Sequence, residues 1–120
     1  MSIDYDERRF ASVSNSVSGD VGSGTLFHYR QRADIVWGTY EGGGIALGTL
    51  IARVLGDGSL DMRYQHVTPE GAIKTGRCLS RPEILVDGRI RLHERWQWTE
   101  GSTEAGESIV EEVDSNATTY

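Results

Sequence analysis

The chain has 120 residues, a net charge of −6, 38% hydrophobic residues and one cysteine, Cys78. That length suits one domain with a modest core, and the acidic balance excludes a basic nucleic-acid surface. No internal disulfide can form, and no apolar run approaches the roughly 18 residues of a membrane-spanning helix. No apolar leader follows Met1, so the expected location is the reducing cytoplasm.

Short β-rich runs separated by turn residues follow one another along the whole chain. Eight strands are predicted: Arg8–Ser14, Thr25–Gln31, Ile35–Tyr40, Ile45–Val54, Leu60–Val67, Ile73–Ser80, Ile90–Thr99 and Glu107–Glu112. The turns between them are Ala33-Asp34, Glu41-Gly42-Gly43-Gly44, Gly56-Asp57-Gly58, Thr68-Pro69-Glu70-Gly71 and Asp87-Gly88, each holding the Gly, Asp or Pro that a tight reversal needs. Longer loops join the first pair (Asn15–Gly24) and the last pair (Glu100–Gly106).

Strands so evenly spaced, with no helix to cover a face, form an antiparallel meander that hides its edges best by closing on itself. The expected fold is therefore all-β: a single domain over 1–120, an eight-stranded antiparallel up-and-down barrel of calycin-like form. Flexible tails are expected at about 1–7 and 114–120. An eight-stranded barrel has room for packed side chains or one small ligand.

The run Ile90–Thr99, IRLHERWQWT, carries the clearest functional signal. At period two, one face holds Ile90, Leu92, Glu94, Trp96 and Trp98; the other holds Arg91, His93, Arg95, Gln97 and Thr99. A lone carboxylate thus sits in an indole-rich stripe, where it must be paired, neutralised or set in a pocket. With Asp57-Gly58 and Asp87-Gly88 as two-residue turns, the inner wall would hold Trp37, Tyr64, His66, Arg77, Arg81, Glu94, Trp96 and Trp98. Leu60, Met62, Tyr64 and His66 would face the same way as Leu55, Arg53, Ile51 and Thr49. A bulge at Pro82 would instead bring Gly76, Cys78 and Ser80 inward.

Glu94, Tyr64 and His66 are the candidate acid–base groups, with Glu94 either a carboxyl of raised pKa or half of an ion pair with Arg77 or Arg81. Trp37, Arg77, Arg81, Trp96 and Trp98 are the candidate ligand-binding residues. No cofactor is expected. No metal is expected either, because His28, His66, His93 and Cys78 fall on different strands. Ile45–Val54 is apolar on both faces, which suggests a contact between copies of the chain in a homo-oligomer.

Arg53-Val54-Leu55-Gly56-Asp57-Gly58 fits the Arg-x-x-Gly-x-Gly pattern with which GNAT-type acetyltransferases cradle a coenzyme A pyrophosphate. That chemistry uses the N-terminus of a helix, whereas the residues that follow, SLDMRYQHV, alternate as a strand. RRFASVSN (Arg8–Asn15), LDMRYQHV (Leu60–Val67), RPEIL (Arg81–Leu85), RLHERWQWT (Arg91–Thr99) and GESIVEEV (Gly106–Val113) resemble a family of small bacterial proteins commonly labelled "N-acetylglutamate synthase". That resemblance implies saturable binding of acetyl-CoA. The expected barrel is similar in architecture to lipocalin- and streptavidin-like folds.

These features predict a protein that holds a small, partly apolar or aromatic molecule inside its barrel. One alternative is a cofactor-free isomerase, cyclase or lyase using Glu94 in the same pocket. Another is a barrel plugged by its own side chains that acts through its surface.

Overall fold

The computed structural model describes residues 3–16, 19–22 and 24–113. Eight strands form a closed antiparallel barrel in chain order, β1-β2-β3-β4-β5-β6-β7-β8, with β1 paired to β8. They are β1 (Arg8–Asn15), β2 (Leu26–Arg32), β3 (Ile35–Gly42), β4 (Ile45–Val54), β5 (Leu60–Val67), β6 (Ile73–Ile84), β7 (Ile90–Trp98) and β8 (Ala105–Glu112). There is no helix among the described residues. The expected up-and-down barrel is the observed fold.

Turn chemistry decides which side chains face in. Leu55–Ser59, Thr68–Ala72 and Leu85–Arg89 share one three-residue hairpin, closed by backbone bonds of 2.8–2.9 Å, for example from Leu85 N–H to Arg89 O and from Gly88 N–H to Leu85 O. Each places a glycine in the left-handed region: Gly58 at φ 88°, Gly71 at 93° and Gly88 at 91°. This is a type I turn followed by a glycine bulge, and it offsets the strands by one residue from a two-residue turn. By contrast, Ala33-Asp34 is a true two-residue turn, with Arg32 opposite Ile35 and Ala33 itself at φ 54°.

The offset corrects the expected inner wall. Glu94 pairs with Ser80, Trp96 with Cys78 and Trp98 with Gly76. Gly76, Cys78 and Ser80 therefore face in, while Arg77 and Arg81 lie exposed on the outer face. The cause is the turn rather than Pro82, which pairs regularly with Leu92. On β4 the inner residues are Leu50 and Ala52, whereas Thr49, Ile51 and Arg53 point outward. Trp37 lies opposite Ile51 and turns outward with it, its ring 5.6 Å beneath the Arg32 guanidinium. The partners expected for β5 were wrong, yet Leu60, Met62 and His66 are buried in the interior and Tyr64 is partly buried with them.

Two bulges adjust the rest. An extra residue at Val13 shifts β1 against β8, so that Asn15 comes to lie opposite Ser108 on the inner face. A second at Ala46–Leu47 exposes both residues between buried Ile45 and Gly48.

The end carrying the Ala33-Asp34, Leu55–Ser59 and Leu85–Arg89 turns is packed solid. Tyr29, Phe10, Leu60, Ile90, Leu92, Val36 and Val110 are fully buried. The segment Ile3–Glu7 lies across that end. Its Tyr5 side chain is completely buried, and the hydroxyl donates to Gly58 O at 2.6 Å. The other residues expected as tails, 1–2 and 114–120, lie outside the described residues. Polar and aromatic residues gather at the opposite end.

Candidate functional site

Glu94 stands in the middle of β7, where strand alternation turns it inward between Leu92 and Trp96. Its carboxylate accepts Ser108 O–H from β8 at 2.9 Å and Ser80 O–H from β6 at 3.2 Å. Burial pushes its pKa up to about 7, against the lowering effect of the two serine hydrogen bonds. Glu94 is therefore not paired with arginine; two hydroxyls take the place of the expected ion pair.

Above Glu94 the rings of Phe27, Tyr40, Tyr64, Trp96 and Trp98 surround a cavity of about 50 Å³, completed by Leu50, Met62, His66, Cys78, Asn15 and residues Gly19–Val21. Three of these rings owe their position to a glycine directly across the strand pair: Tyr40 to Gly48, Tyr64 to Gly76 and Trp96 to Gly106. At each glycine a Cβ would collide with the facing ring. The sequence thus clears a notch into which each aromatic lies flat against its neighbour strand, leaving the barrel's centre open. Phe27 and Tyr40 stack at 5.0 Å, and the Trp96 and Trp98 rings lie 5.5 Å apart.

A hydrogen-bonded chain runs across the mouth. The Tyr40 hydroxyl is 2.9 Å from His66 Nδ1, His66 Nε2 is 2.9 Å from Asp20 Oδ2, and Lys74 Nζ lies 3.0 Å from the same carboxylate oxygen. In neutral His66, Nε2–H donates to Asp20 and Nδ1 accepts the tyrosine proton. Burial raises the Asp20 pKa, but hydrogen bonds from His66 and Lys74 outweigh it and hold the carboxyl below the usual range. Asp20 belongs to the β1–β2 connection, so this chain ties that connection over the cavity. Asn15 anchors its start, accepting Trp96 Nε1–H at 2.8 Å and donating Nδ2–H to Val21 O at 2.8 Å.

The family model described as Avidin-like protein matches residues 3–113 of this sequence. The chain belongs to the avidin-like family. No curated protein and no solved structure matches it. The closed eight-stranded antiparallel barrel fits that family, and with it the general character of a small-molecule-binding barrel.

Of the expected site residues, this avidin-like barrel brings together Glu94, Tyr64, His66, Trp96 and Trp98. It excludes Trp37, Arg77 and Arg81, which face out. It adds Tyr40, Asp20, Asn15, Phe27, Ser80 and Ser108. Tyr40 was findable: it opposes Gly48, which opposes His66, so all three share a face. Asn15 was not, because its direction depends on the bulge at Val13. The Arg53–Gly58 stretch crosses from β4 into the Leu55–Ser59 hairpin, with no helix after it. Among the described residues no group of three His, Cys, Asp or Glu is placed to hold a metal ion.

Proposed function

We propose that this avidin-like protein binds a small, partly apolar molecule in the cavity above Glu94. The observation that carries the reading is the pairing of an aromatic-walled cavity with a carboxyl at its floor that is hydrogen-bonded by two hydroxyls and, among the described residues, paired with no cation. A plugged barrel would have packed its large rings across the axis; here Gly48, Gly76 and Gly106 hold three of them back against the wall. Trp96, Trp98, Tyr64 and Phe27 supply contact area, while Glu94, Tyr40 and the Tyr64 hydroxyl orient polar atoms. Native mass spectrometry of the protein as purified, with and without added biotin or acetyl-CoA, tests the reading. A mass released on unfolding, or a saturable adduct lost when Trp98 is changed to alanine, is the expected result. No adduct from the purified protein or from any panel of small molecules would refute it.

One observation favours a second reading, a cofactor-free acid–base enzyme. With its pKa near 7, the Glu94 carboxyl can both donate and accept a proton at neutral pH. Glu94→Gln separates the two: a variant that keeps the ligand but converts none of it would mark Glu94 as the proton carrier.

The proposal extends to assembly. Leu47 and Ile51 on the outer face of β4 are more than half exposed, and Ile51 adjoins Trp37. We assign this apolar strip to a contact between copies of the chain. Ile51→Lys is expected to shift the mass measured by sedimentation toward the monomer.

A further inference from the structure

We propose that the molecule held in this cavity carries a small organic cation, an ammonium or guanidinium-type head, seated between the Glu94 carboxylate and the faces of the surrounding aromatic rings. This rests on the reading of the cavity as a ligand site and names the chemistry of its occupant.

Charge is the first argument. Among the described residues, the lining contains two carboxylates, Asp20 and Glu94, and neither lysine nor arginine. Asp20 is already engaged by His66 and Lys74. Among the described residues, Glu94 hydrogen-bonds only to the serine hydroxyls, one on each oxygen. A carboxylate has about four lone-pair positions, so two remain for an incoming donor. The groups that face Glu94 from the other strands add no positive charge: Tyr29 from β2, Tyr40 from β3, Tyr64 from β5 and Cys78 from β6. Burial holds all four in their neutral forms.

The walls are the second argument. Five aromatic rings line the space, and the negative face of a π-system attracts a cation and repels an anion. The molecule already uses this chemistry at the mouth, where Lys74 Nζ stands 5.1 Å from the Trp98 ring centroid. An anionic ligand would meet Glu94 and the ring faces together, and the ammonium at the mouth, Lys74, is already held by the Asp20 carboxylate. Arg77 and Arg81 point away from the interior.

Size is the third. A cavity of about 50 Å³ is several times what one ordered water needs. It suits a compact head group, with the body of a larger molecule emerging past Asp20 and Val21.

The experiment is an NMR titration that follows the Trp96 and Trp98 indole resonances, using two charged–neutral pairs: isobutylamine against isobutanol, and guanidinium against urea. The expected result is saturable binding of both cations at pH 8, at least tenfold tighter than their neutral counterparts. Affinity should fall about tenfold or more at pH 5, where Glu94 is protonated and both probes remain charged. That pH dependence should vanish in Glu94→Gln. His66 and Asp20 also lie at the mouth, and the variant isolates the Glu94 contribution from theirs. The wild-type pH profile stands even if the variant folds poorly. Equal affinity for charged and neutral partners, or a profile unchanged in Glu94→Gln, overturns the cation while leaving ligand binding intact. If neither charged nor neutral probes move the indoles, and the purified protein carries no adduct, the binding reading itself fails.

Discussion

The hydroxyl of Ser108 donates to the Glu94 carboxylate across 2.9 Å, from a strand whose neighbouring position, Gly106, yields its own space to the Trp96 ring. Strand β8 thus serves the cavity twice within three residues. It supports the Glu94 carboxylate at the floor and makes room for the indole beside it. Both roles need small side chains at alternate positions, which is what an inward-facing strand next to bulky β7 must supply.

Stability should fall as pH rises through the weakly acidic range. Glu94 has a folded-state pKa of about 7 against an ordinary value of 4.5. The folded protein therefore holds this proton more tightly than the unfolded chain. The resulting stabilisation is complete below about pH 4.5 and is lost progressively up to pH 7, on the order of 3 kcal/mol in all. Glu94→Gln should flatten this slope in denaturant melts at pH 5 and 8. Asp20, with its depressed pKa, acts in the opposite sense and only at lower pH, losing its contribution as pH falls through the folded value.

Asp20→Ala should loosen the cover of the cavity. It removes the acceptor of His66 Nε2 and of Lys74, leaving a buried imidazole nitrogen without its partner. The expected cost is roughly 1–3 kcal/mol. Quenching of Trp96 and Trp98 fluorescence by acrylamide should increase. Asp20→Asn retains a carbonyl acceptor for His66 and should lose less. Unchanged quenching in the alanine variant would show that the β1–β2 connection holds its place without this anchor.

Gly76→Ala places a methyl group where the Tyr64 ring and hydroxyl now lie. The ring must swing into the cavity, and the strain should cost about 1–3 kcal/mol. In a Tyr64→Ala background, Gly76→Ala should cost much less, a coupling that a thermal-denaturation double-mutant cycle would reveal. Additive losses would mean that the two residues do not share the space.

The three hairpin glycines offer a graded comparison. At Gly71 and Gly88 a Cβ would meet nothing within 4 Å, so alanine there bears only the left-handed backbone, about 1–2 kcal/mol. At Gly58 the Ile3 side chain stands 3.0 Å away. Gly58→Ala should therefore be the most damaging of the three in chemical denaturation, and Ile3→Ala should bring it level with the others.

The fold was legible because turn residues punctuate strong alternation: β4 and β5 begin and end where the pattern puts them, and β7 has the two faces expected of it. Part of the site followed, since Glu94, Trp96, Trp98, Tyr64 and His66 sit on strands whose own period fixed their face. Trp37 and the arginines of β6 failed for a shared reason. Their direction was inferred through a neighbour across a hairpin, and Asp-Gly suits both a two-residue turn and the end of a three-residue one. Misplacing the β4–β5 turn reversed β4 and carried Trp37 with it. Asp20 and Asn15 depend on a long connection and a bulge, neither of which leaves a periodic mark.

The three hairpins that end in Gly58, Gly71 and Gly88 have a consequence for how this barrel can change. Odd and even loop lengths address opposite sides of the wall. Inserting a pair of residues into any of these turns keeps the same side chains in view of the interior, so such insertions offer a route to varied rims around a constant lining. A single insertion exchanges interior for exterior on one strand of the pair. Because β8 must still close on β1, the wall has no free edge at which to absorb that mismatch. The compensating change must then appear at another turn or as a bulge, as it does at Val13. Single-residue length variation should therefore occur in coupled pairs.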